Sequence, residues 1–144
     1  MVATHTQPRY SSRPTRPLMV TIAACLVAAY AGLFIVWDII APFERPYAEG
    51  PVSVILGFRV FGLSAQLMHA LQLLVAGSLA YHLWTMRRFG WHLVVSSAGY
   101  MLVSYVIWAQ VYNESEHIVG FGLFYAVMLL VLLALTLPHR RKFV

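Results

Sequence analysis

The sequence predicts an all-α polytopic membrane protein: a four-helix transmembrane bundle running up-down-up-down with both termini on the cytoplasmic side. Three observations carry that prediction. Four long apolar runs divide the chain, in which 60% of residues are hydrophobic and 10% charged. A soluble domain of 144 residues needs a largely wet exterior, so lipid must solvate much of this surface. The charges also sort by connector. Arg9, Arg13 and Arg16 precede the first run, Arg87 and Arg88 follow the second, and Arg140, Arg141 and Lys142 follow the fourth. The acids Asp38, Glu44 and Glu49 follow the first run, and Glu114 and Glu116 follow the third; only Arg45 and Arg59 break the alternation. Short loops rich in Lys and Arg stay in the cytoplasm, which orients the bundle. Finally, all seven prolines lie outside the runs, so no span is broken in the manner of the substrate sites of many transporters.

The tail, residues 1–17, is rich in Pro, Ser, Thr and Arg. It is expected to be disordered alone and to order only against a partner. A hydrocarbon core of about 30 Å takes about 20 helical residues, which places the first span at 18–40. This run exceeds the 7 to 15 apolar residues of a usual signal core and reads as a retained span. The longest connector follows, and its second half, Val52 to Phe58, is apolar again. It reads as an interfacial segment, with Gly57 and Gly62 around Arg59 letting the chain turn into the bilayer. Asp38 and Arg59 then sit at similar depth, where an ion pair between them would lower the cost of each; separate snorkelling of the two charges is the alternative.

The second span, 60–84, carries the one continuous polar stripe. At about 100° per residue, Arg59, Gly62, Gln66, His69, Ala76, Gly77 and Ala80 share a side, with Gln72 at its edge. That side is expected to face protein, because uncharged polar residues bond across to neighbouring helices and small residues let backbones approach. Ala24, Ala28 and Gly32 on the first span, and Gly90, Ser97 and Ser104 on the third, are the matching surfaces. The same stripe admits a second reading, in which Gln66, His69 and Gln72 form a polar pocket for a quinone head group, a polar lipid or a substrate. The third span, 91–111, the fourth, 118–137, and a basic tail, 138–144, complete the chain. Trp37, Phe43, Tyr47, Trp108 and Tyr112 mark the outer interface, and Tyr81, Trp84, Phe89 and Trp91 the inner one.

Cofactor chemistry would have to rest on histidine. His69 and His82 are thirteen positions apart, a rotation of about 220°, so they do not share a helix face. His82 and His92 flank the Arg87–Arg88 turn and lie at one depth, where they could ligate a haem b or a chlorophyll magnesium. No span holds a charge at its centre, and there is no paired nucleophile and base, phosphate loop or Cys/His metal spacing. Asn113, Glu114, Glu116 and His117 make a short polar cap at the outer end, expected to be a solvated loop that ends the helices, with a divalent-cation site as the alternative. No catalytic or metal-binding residue is assigned. Cys25 stands alone and can form no internal disulfide.

The layout of four short spans with an Arg-Arg-Phe-Gly-Trp turn after the second is similar to many small bacterial tetraspan proteins, and it transfers no residue roles. The net charge of +5 marks a membrane face and anionic lipid rather than nucleic acid. The expected role is a non-catalytic accessory subunit in a bacterial-type inner membrane. It would pack on a larger membrane complex, respiratory or photosynthetic, or on copies of itself. A haem-, chlorophyll- or quinone-binding redox subunit is the alternative, and a small-solute carrier comes third.

Overall fold

A computed structural model describes residues 16–40, 50–112 and 118–144. Helix dominates them, but the chain is not all-α. A two-stranded antiparallel hairpin stands where an interfacial segment was expected.

The first rod starts at Pro17, whose carbonyl takes the Thr21 N–H at 3.1 Å. It runs as α1 (Leu18–Tyr30), a single π-helical stretch (Ala31–Ile35) and α2 (Val36–Ile40). At about 1.5 Å per residue, its 23 residues cover roughly 35 Å. The hairpin follows as β1 (Val52–Ile55) and β2 (Phe58–Phe61), with Val54 opposite Arg59 and Ile55 opposite Phe58. Its β-branched and aromatic residues suit a pleated surface. The two-residue turn has positive φ at both positions, 46° at Leu56 and 87° at Gly57, the combination that matches strand twist. Apolarity alone concealed this strand pair, since a short apolar run is periodic in neither sense.

Three longer helices follow: α3 (Gly62–Trp84), α4 (Arg88–Val111) and α5 (Ile118–Thr136), the last continued by a 3-10 stretch (Leu137–Lys142). The rod Leu18–Ile40, α3 and α4 are each long and apolar enough to cross a membrane. Helix α5 has 19 residues, none of them charged. A pair of bonds ends α3: Arg87 N–H to His82 O at 3.0 Å and Met86 N–H to Leu83 O at 3.2 Å. This is a Schellman-type stop, with Met86 at φ 55° where glycine is usual. The buried Met86 side chain offsets the backbone strain.

Helices α1 and α4 each pack against both α3 and α5. The Arg16 guanidinium donates to Trp84 O at 2.9 Å, so α1 begins where α3 ends. The last residue, Val144, bonds to Met86 and Arg88, which brings it to the same turn. This end of the bundle, with the start of α1, the α3–α4 turn and the C-terminus, is called the basic end below. The main core also lies there: Val20, Ala23, Ala24, Leu79, Leu83, Met86, Val94 and Phe143. A smaller cluster of Ala31, Ile35 and Ala76 continues it upward. Gly90 permits the α3–α4 crossing, because a Cβ there would stand 2.9 Å from the His82 carbonyl carbon.

Candidate functional site

The hairpin is held against α4 by hydroxyl groups rather than by a third strand. Leu56 N–H donates to Tyr100 Oη at 3.3 Å, Gly57 N–H to Ser104 Oγ at 2.9 Å, and Arg59 N–H to Tyr112 Oη at 3.2 Å. Those three residues lie on one i, i+4 ridge with Trp108 between them, so α4 offers a row of acceptors along about 18 Å of its length. A backbone N–H left without a partner away from water is costly; the three here belong to the turn residues Leu56 and Gly57 and to Arg59 of β2. The ridge removes that cost. Gly57 is required here for space as well as for φ, since a Cβ would meet Trp108 N at 2.6 Å and Ile107 Cβ at 2.7 Å. On the other strand, Gln72 Nε2 donates to the buried Ser53 Oγ at 3.4 Å.

The α3 stripe is therefore divided. Ala76 and His69 are buried, Gln72 and Ala80 half-buried, and Gly62, Gln66 and Gly77 exposed. His69 is only 5% exposed, and its Nδ1 has no hydrogen-bond partner. The Arg59 guanidinium lies 4.0 Å from the Tyr112 ring centroid, a cation–π contact. Asp38 is half-buried on α2, and no ion pair joins it to Arg59 among the described contacts. The cap Asn113–His117 and residues 1–15 lie outside the described residues.

The small residues of the first rod are distributed unevenly. Ala24 is buried against α3, and Ala24, Cys25 and Ala28 line a groove of about 250 Å³ with Ala80, Tyr81 and Trp84. Arg16 caps its aromatic wall, 3.6 Å from the Trp84 ring centroid. Gly32 faces open space. On α4, Gly90 meets His82, Ser104 receives the hairpin and Ser97 is half-buried.

His82 and His92 lie at the same end in different surroundings. The His82 ring stacks edge-on between Tyr81 at 5.2 Å and Phe89 at 5.0 Å, and its Nδ1 has no hydrogen-bond partner. His92 is exposed and lines a recess of about 430 Å³ with Arg88, Trp91, Arg140, Arg141 and Phe143. Neither His82 nor His69 reaches that recess. Among the described residues, no three of His, Cys, Asp and Glu converge as a metal site.

The tyrosine–serine ridge of α4 was missed in the sequence reading. Its signal was present as Tyr100, Ser104, Trp108 and Tyr112 at four-residue spacing. Ser104 was instead grouped with Gly90 and Ser97 as a packing face. No protein-family model, curated protein or solved structure matches the chain.

Proposed function

We propose that the chain crosses a membrane four times with both termini in the cytoplasm, and that it serves as a non-catalytic accessory subunit of a larger integral-membrane complex. A bacterial-type inner membrane suits the charge pattern. The observation that carries the reading is the bareness of α4. Only Gly90 and Val94 of its 24 residues are buried. Its open face runs Ser96, Gly99, Val103, Val106 and Gln110, all exposed and all within about 80° of arc. Small, hydroxyl and amide side chains are the residues by which membrane helices join, whereas lipid gains nothing from them. A lone four-helix protein has no need of such a face. Partner packing gives it a use.

The test is purification from native membranes in mild detergent. A stoichiometric integral-membrane companion that is lost in a Gly99→Leu variant supports the reading. Migration as a lone 16.2 kDa chain refutes it.

A second reading, a quinone- or haem-binding redox subunit, draws on His69. The imidazole is almost fully buried with one unpartnered nitrogen, one turn from the Gln72–Ser53 bond, and a head group would reach that nitrogen only by displacing the side chains that cover it. A visible spectrum and a quinone extraction of the purified protein decide it. Colour or quinone that is lost in His69→Leu favours the redox role, and a blank result leaves the accessory role alone.

A further inference from the structure

The basic recess at the end of the bundle is more than a topology signal. Positive-inside orientation needs only charge in a short segment, with no fixed geometry. Here the geometry is fixed. Phe143 is 4% exposed and inserts beside Leu83, Met86 and Val94 in the core. On either side of the α3–α4 turn, Val144 N–H donates to Met86 O at 3.0 Å and Arg88 N–H donates to Val144 O at 2.9 Å. The preceding 3-10 stretch is thereby folded back, and Arg140 and Arg141 share a recess with Arg88, His92 and Trp91.

Three arginines line one recess whose lining includes no acidic side chain, and the Val144 carboxyl group, which accepts from Arg88 N–H, offsets at most one of the three charges. Asp38, Glu44, Glu49, Glu114 and Glu116 all belong to the two other connectors. The first turn of α4 contains no acidic side chain; the oxygen that meets its first N–H comes from Val144. A bound anion would relieve this arrangement. Guanidinium forks match the oxygens of a phosphate ester, and Trp91 gives the site an apolar shelf at interfacial depth. Phe89, Val95 and Leu137, on the elements that frame the recess, are also exposed. A free phosphate would use the forks but not the shelf.

We infer that this recess binds the phosphodiester head group of one anionic phospholipid of the cytoplasmic leaflet, through Arg88, Arg140 and Arg141, with His92 at its rim. The docked C-terminal segment sets the spacing of the site. This inference rests on the membrane reading proposed above.

The experiment uses the full chain in nanodiscs of phosphatidylcholine with a minority of phosphatidylglycerol, followed by native mass spectrometry of the lipids retained after release. Incorporation into the disc tests the membrane reading by itself, so failure to incorporate is distinguishable from failure to hold lipid. Wild type is expected to retain one phosphatidylglycerol in preference to phosphatidylcholine. The Arg88→Gln/Arg140→Gln/Arg141→Gln triple variant is expected to retain it at least roughly tenfold less well. A control, Arg9→Gln/Arg13→Gln/Arg45→Gln, removes the same charge elsewhere and is expected to retain it. Phe143→Ala keeps every charge but frees the segment, and is expected to lose the lipid as the triple variant does. Equal loss in the triple variant and the control, retention by Phe143→Ala, or no preference in wild type would each overturn the inference. Displacement of the lipid by millimolar inorganic phosphate would overturn it too, and would identify a free-phosphate site.

Discussion

Gly57 is the residue on which the hairpin depends most. It sits at φ 87° with the α4 backbone 2.6 Å from where a Cβ would be, so Gly57→Ala adds both backbone strain and a clash with atoms that cannot swing aside. The expected cost is about 2 kcal/mol or more, read as a lower thermal midpoint in detergent. Ser104→Ala is expected to cost about 1 to 3 kcal/mol, because the Gly57 N–H loses its acceptor where water is scarce. Ser97→Ala, a neighbouring change that makes no described hydrogen bond, is expected to cost less than either. At this scale the sequence was partly legible. Gly57 and Gly62 were read as turning points, and both have positive φ. The partner of Gly57 could not be read, because a contact across 47 positions leaves no local trace.

At the scale of elements, the apolar length of the helices was the clearest signal, since a bilayer-sized run of residues has few other uses. The helix starts differed by a few residues for local reasons. Helix α3 begins at Gly62 because Phe61 still pairs with Val52, and α4 begins at Arg88, just after the Schellman stop. The hairpin was hidden because its eight strand residues resemble membrane-surface sequence as much as strand. The basic tail is the other element with structure beyond its composition. Phe143→Ala is expected to destabilise the basic end by about 3 kcal/mol, and to expose the Met86–Arg88 turn to proteolysis or amide exchange before the rest of the bundle opens. If that turn exchanges no faster than in the wild type, the docked tail contributes little to it.

For the whole molecule, contacts at Trp84, Met86 and Arg88 bring both described ends of the chain to one end of the bundle. An even number of crossings follows if the helices span. In a Cys25→Ser background, Ser115→Cys is expected to react with a membrane-impermeant maleimide in intact cells. Ser12→Cys and Lys142→Cys are expected to react only after permeabilisation; labelling of all three from outside would refute the topology. Charge pattern alone carried this expectation, since topology is set by loop charge rather than by packing. Which faces remain uncovered was not legible, because a helix face that binds another chain and one that meets its own bundle use the same small residues. Only the fold distinguishes them: Ala24 and Gly90 are covered, while Ser96 and Gly99 are bare. The most direct test of the accessory role is therefore photocrosslinking in native membranes from a benzophenone side chain at position 99, with position 130 on the exposed flank of α5 as reference. The account predicts one dominant adduct between position 99 and a larger integral-membrane protein, and lipid adducts at position 130. Lipid adducts alone at position 99, or adducts only to a second copy of this chain, would contradict it.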